Sequence, residues 1–128
     1  MTLYPYSYAV LRAVPRVERG EFINVGVILY CQQLDFLRAA VRVDADRIRA
    51  VDHAANIGLI EHAARAVVDL CRQPAGSNRE NNGLVTRFGM LTAPRSTVLQ
   101  PSPVHMGLTA DPMATLDQLM HRLVLPPE

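Results

Sequence analysis

The residues best suited to chemistry fall in one segment, Ala93–Pro112 (APRSTVLQPSPVHMGLTADP), which is polar, punctuated by Pro and Gly, and set between two apolar stretches. It gathers Arg95, Ser96, Thr97, Gln100, Ser102, His105 and Thr109. A guanidinium beside hydroxyls and backbone N–H groups can hold a phosphate or a carboxylate. The same residues can instead satisfy one another. Arg95 can cap carbonyls or pair with an acid, and Ser96 and Thr97 can make local turn bonds. Pro94, Pro101 and Pro103 restrict the backbone, which suits a preorganised site and a structural loop alike. A second basic cluster, Arg16 and Arg19, lies beside Glu18 and Glu21, where exposed ion pairs are enough to account for it. If both segments lie at one end of a sheet, they build a single pocket.

Catalytic constellations are weaker. Ser96, His105 and Asp111 can be written as a Ser-His-Asp set, but nothing marks a nucleophile elbow or an oxyanion hole. The sequence contains no GxSxG, HExxH, P-loop or GxGxxG pattern. Cys31 and Cys71 are too few and too far apart for a structural zinc site, and each sits in an apolar pattern as a buried free thiol. His53, His62, His105 and His121 are scattered and make no metal site. The expectation is therefore no metal, no cofactor and no self-sufficient enzyme.

Net charge is +1, so no global field draws the chain to nucleic acid or an anionic membrane. All 13 basic residues are Arg, which suits bidentate recognition of oxyanions but also follows from a GC-rich codon preference. Tyr6 and Tyr8 share a strand face that could stack bases, or simply pack. There is no signal peptide and no apolar run long enough to span a bilayer, so the chain reads as cytoplasmic, with no membrane partner.

The elements that must position these residues follow from the hydrophobic pattern. With 128 residues, 49% of them hydrophobic, residues 1–128 suffice for one domain with an aliphatic core. Tyr6–Val14, Asn24–Cys31 and Phe36–Val43 read as strands, and their short connections favour an antiparallel meander. Gly26 within the second marks a bulge or a close backbone approach. Asp44–Val51 can hold a short helix. Asn56 caps a longer one to about Arg72, with Ile57, Ile60, Ala64, Val67 and Cys71 in one stripe. Gln73–Asn82 reads as a mobile loop, and Gly83–Thr92 suits either a helix or a strand. Thr97–Gln100 could add a fourth strand before Pro101. Asp111–Pro112 starts a last helix with Leu116, Leu119, Met120 and Leu123 inward. The expected fold is α+β: an antiparallel sheet of three to four strands, with two or three helices packed mainly on one face.

Two signatures carry a resemblance. They are V-P-R-x-E-R-x-E-F-x-N-V-G, matched by Arg16, Glu18, Arg19, Glu21, Asn24 and Gly26, and A-P-R-S-T-V-x-Q-x-S-P-V-H, matched by Arg95, Ser96, Thr97, Gln100, Ser102 and His105. On these the chain resembles the uncharacterised bacterial family known as domain of unknown function 3037. Members are similar to companions of HipA-like kinases, often encoded beside one, which implies a HipA-like kinase as a partner. The leading expectation is a small non-catalytic partner or regulatory subunit of such a kinase. The alternative is a small enzyme or ligand-binding module that takes an anionic, phosphorylated or nucleotide-like compound through Arg95 and His105. A third is a nucleic-acid-binding component, disfavoured by the absence of net basicity and of a recognition helix.

Overall fold

Alternating apolar residues build β1 (Tyr4–Ala13), β2 (Ile23–Cys31) and β3 (Phe36–Val41), which pair antiparallel as a meander. The computed structural model describes residues 1–74 and 83–127. The first turn contains a one-turn 3-10 helix, Val17–Arg19, closed by Gly20 at φ 70°, a left-handed conformation that favours glycine. Gly26 marks both features expected of it. The β1–β2 register slips between Leu11 and Arg12, and a Cβ on Gly26 would lie 2.7 Å from the Ala40 carbonyl oxygen.

The other edge of β1 takes two short strands end to end. Leu99–Pro101 (β4) pairs with Leu11–Ala13, and His105–Thr109 (β5) pairs with Tyr4–Tyr8, both antiparallel. Among the described residues the sheet therefore has five strands rather than three to four. The added strand was hidden because Pro101, Pro103 and Gly107 punctuate the segment, and Ser102–Val104 interrupts its pairing without removing it from the sheet.

Four helices complete the described chain: α1 (Ala45–Val51), α2 (Ile57–Arg72), α3 (Leu84–Leu91) and α4 (Pro112–Leu123). Asp44, Asn56 and Asp111 cap α1, α2 and α4 by accepting from the backbone N–H groups of Arg47, Leu59 and Ala114. Gly83–Thr92 resolves as a helix, α3. Residues 75–82, where most of the expected mobile loop falls, lie outside the described residues.

The helices do not share one face. Ile48, Ile60, Val67, Cys71, Phe88 and Leu91 from α1–α3 pack with Ala9, Leu11, Ala13, Ile28 and Leu37 on one side of the sheet. Leu116, Leu119 and Met120 of α4 pack with Val27, Leu29 and Cys31 on the other. Two features place α4 there. The apolar strands point side chains both ways, so the second face needs cover. Thr109, buried at the end of β5 opposite Tyr4, accepts from the Asp111 N–H at 3.0 Å and bonds the Thr115 hydroxyl at 2.6 Å, which turns the chain onto that face.

Candidate functional site

The Arg16–Glu21 turn meets the end of α1 in a cleft of about 220 Å³ lined by Pro15, Arg16, Arg19, Glu21, Val51, Asp52 and His53. Its guanidinium groups are already paired. Arg16 Nε donates to Asp52 Oδ2 at 2.6 Å, and Arg19 Nε donates to Glu21 Oε1. The Arg16 hydrogen bond, helped by the Ala54 N–H, holds the Asp52 carboxyl below its ordinary range; Arg19 does the same for Glu21. Arg16 and Arg19 are in turn held more firmly protonated by those acids. A cleft that brings its own counter-ions has little left to attract an anion.

No residue of Ala93–Pro112 lines this cleft, so the two basic clusters do not share it. Arg95 lies exposed at the end of α3. Its terminal guanidinium nitrogen donates to the Met90 carbonyl at 2.5 Å, and its Nε donates to the Ala93 carbonyl at 3.4 Å. The last carbonyls of a helix lack intrahelical donors, and Arg95 supplies one. Thr97 Oγ1 donates to the Leu99 carbonyl at 2.7 Å, and Gln100 Nε2 donates to the Thr97 carbonyl at 2.9 Å. Ser96 is exposed beside them.

Ser102 and His105 belong to the sheet. The Ser102 N–H donates to the Val10 carbonyl at 2.8 Å, and the Val10 N–H donates back to Ser102 Oγ, also at 2.8 Å. That hydroxyl then donates to the Pro103 carbonyl at 2.8 Å. Ser102, 3% exposed, thus stands in for the carbonyl that an uninterrupted strand would offer Val10. His105 sits opposite Tyr8, with ring centroids 5.3 Å apart, and Tyr8 lies 6.0 Å from Tyr6. Tyr4, Tyr6 and Tyr8 pack partly buried against the α4 side of the core. Burial pushes Tyr6 above its ordinary pKa.

Sequence reasoning left out Arg12, which lies on that same face. Arg12 lies directly across from Asn24 on β2 and from Gln100 on β4, so the three side chains form a row over three strands. Asn24 Nδ2 donates to the Leu123 carbonyl at 3.0 Å and so ties the row to the end of α4. The Arg12 guanidinium carbon stands 4.2 Å from the centroid of the Phe22 ring. Arg12 Nε and Asn24 Oδ1 are both buried without a hydrogen-bond partner. One signal for Arg12 was available: it falls on the Tyr4, Tyr6, Tyr8, Val10 face of β1, where a charge breaks an otherwise aromatic and aliphatic pattern.

Three nucleophilic side chains, Ser102, Cys31 and Cys71, are buried. Ser102 has its hydroxyl committed to backbone, and burial pushes the Cys71 thiol from 9.0 up to about 11, far from thiolate chemistry at neutral pH. Cys31 is fully buried, with its Sγ 3.4 Å from the Pro5 carbonyl. Among the described residues, no group of three or more His, Cys, Asp or Glu side chains gathers to hold a metal ion, and no helix is long and apolar enough to cross a membrane. Fold and surface together define a class: an α+β domain on an open antiparallel sheet, with Arg16, Arg19 and Arg95 paired in its loops and Arg12, on a sheet face, without a hydrogen-bonded partner among the described residues. The chain belongs to the family described as Protein of unknown function (DUF3037), whose model matches residues 8–124. No curated protein and no solved structure matches it.

Proposed function

We propose that the protein is a non-catalytic partner or regulatory subunit that binds another protein along the outer edge of β5. One observation carries this reading: β5 combines exposed apolar side chains with backbone groups directed away from the sheet. Val10 and Ser102 bond each other reciprocally, so the even-numbered residues of β1 turn their N–H and C=O groups toward β4 and β5. His105, Gly107 and Thr109, opposite Tyr8, Tyr6 and Tyr4, therefore bond inward. Met106 and Leu108 alternate with them and direct their backbone groups outward, and among the described residues no strand pairs with that edge. Met106 and Leu108 are 75% and 63% exposed. Such an edge accepts an added strand, with backbone bonds giving affinity and side-chain pockets giving specificity. Met106 also borders a cleft of about 170 Å³ with Pro5, Ser7, Tyr30 and Gln33, which is room for a side chain of the incoming strand.

The family resemblance makes a HipA-like kinase the first partner to test. Co-expressed with such a kinase, the wild-type chain is expected to co-purify with it. Leu108→Pro removes an outward N–H while keeping the β1–β5 ladder, and Met106→Lys puts a charge on the patch. Each is expected to weaken the complex at least about tenfold with an unchanged melting temperature. Failure of the wild-type chain to associate, or full retention by both variants, contradicts the proposal. Concentration-dependent self-association blocked by the same variants also contradicts it, because the edge then serves a second copy.

A further inference from the structure

The Asn24–Arg12–Gln100 row lies on the opposite face of the sheet from the Met106 and Leu108 side chains, and its chemistry is left open. Arg12 is partly buried, its Nε has no partner, and it enters none of the ion pairs among the described residues. Six other arginines bond carboxylates or carbonyls, namely Arg16, Arg19, Arg38, Arg47, Arg87 and Arg95, whereas Arg42, Arg49, Arg65, Arg72 and Arg122 are exposed to solvent. Of the Arg12 guanidinium, Nε alone is buried without a partner, so the terminal nitrogens reach the surface and are open to a partner from outside. Phe22 packs against one face of the Arg12 guanidinium, which limits the directions in which its donors can aim.

The neighbouring orphan specifies more. Asn24 Nδ2 is committed to the Leu123 carbonyl, which fixes the amide orientation and makes Oδ1 an acceptor. Gln100 Nε2 is likewise committed to the Thr97 carbonyl, so its Oε1 is a second acceptor, without a partner among the described residues and, unlike Asn24 Oδ1, not buried. A strong cationic donor thus sits in a row with two neutral acceptors. We infer that this row binds an oxyanion that carries its own hydrogen-bond donor: the anionic oxygens meet the terminal guanidinium nitrogens of Arg12, and an adjacent O–H or N–H meets Gln100 Oε1, the acceptor of the row that is not buried. Protonated phosphate and a hydroxycarboxylate both have this shape. Sulfate and a plain carboxylate satisfy Arg12 but place an oxygen against the Gln100 oxygen.

The test compares four ions on the whole protein in mildly acid buffer, where inorganic phosphate retains an O–H: phosphate against sulfate, and glycolate against acetate. Affinities come from the shift of melting temperature with ion concentration at constant ionic strength. Phosphate is expected to bind at least about tenfold more tightly than sulfate, or glycolate than acetate, and the arm that responds identifies the ligand's anionic group. Arg12→Met keeps the apolar stem over Phe22 and removes the charge. It is expected to abolish the ion-dependent shift while leaving the ion-free melting temperature equal or higher, because an unpaired buried donor has gone. Arg12→Lys, which keeps the charge but loses the flat fork, is expected to bind about tenfold more weakly than wild type. Equal response to all four ions, or none, overturns the inference whatever the variants do. A fall in the ion-free melting temperature of Arg12→Met with ion binding retained also overturns it, because Arg12 is then structural.

Discussion

Arginines in the loops and the arginine on the sheet face part company in one respect: what already surrounds them. Arg16, Arg19 and Arg95 stand in exposed turns, the usual place for binding residues, and each has a local partner. Arg12 stands inside β1, the usual place for packing residues, and among the described residues has none but the ring of Phe22. A loop backbone presents carbonyls and acidic neighbours that a long guanidinium reaches easily. A strand has spent its carbonyls on the ladder, so a charge on its face must find its partner among side chains or beyond the molecule.

The contrast breaks most easily at Ser102, which belongs to the loop by sequence and to the sheet by bonding. Ser102→Ala leaves the Val10 N–H buried without its acceptor, and about 1–3 kcal/mol of stability is expected to be lost in urea melts. An unchanged midpoint would free that hydroxyl for chemistry and blur the distinction between the two regions. A smaller effect is expected at Arg95. Arg95→Ala removes one donor from the end of α3, which costs under about 1 kcal/mol, and anion affinity should not change. Loss of anion binding in that variant would restore the loop as the site.

The smallest effect concerns Arg16. Because the folded-state pKa of Asp52 lies below its ordinary 3.8, the pair contributes stability above that value and loses it as pH falls through the lowered one. NMR titration of the Asp52 carboxyl should give a midpoint below 3.8, and Arg16→Ala should move it back toward that value. A midpoint indifferent to Arg16→Ala would mean that Arg16 is not held by Asp52 and is available to a ligand.

The same contrast explains what could be read from the residues in advance. The β1–β2–β3 meander, the Asn56 cap with its helix to Arg72, and the Asp111–Pro112 start of α4 all rest on local periodicity and capping, and all three are present. The face that α4 covers depends on the Thr109–Thr115 contact across a turn, which no periodicity reports. The strand character of His105–Thr109 depends on β1, far away in the chain, which overrides its Pro and Gly punctuation. For the candidate site, polar content pointed to Arg95–His105, where the alternatives of capping and local turn bonds were already open. Arg12 was passed over because its neighbours spell a strand. Its isolation appears only when Asn24 and Gln100 are brought beside it by pairing over two separate strand registers.

The central claim is that the anion-directed chemistry of this fold lies on the sheet face and not in its basic loops. The most direct measurement is a two-dimensional amide NMR titration of the isotopically labelled protein with inorganic phosphate at constant ionic strength. Saturable shifts are predicted at the backbone and side-chain N–H groups of Arg12, Asn24 and Gln100 and at Phe22, with Arg16–Glu21 and Arg95–Thr97 unmoved. Shifts confined to those two loops, with the sheet row silent, would contradict the account.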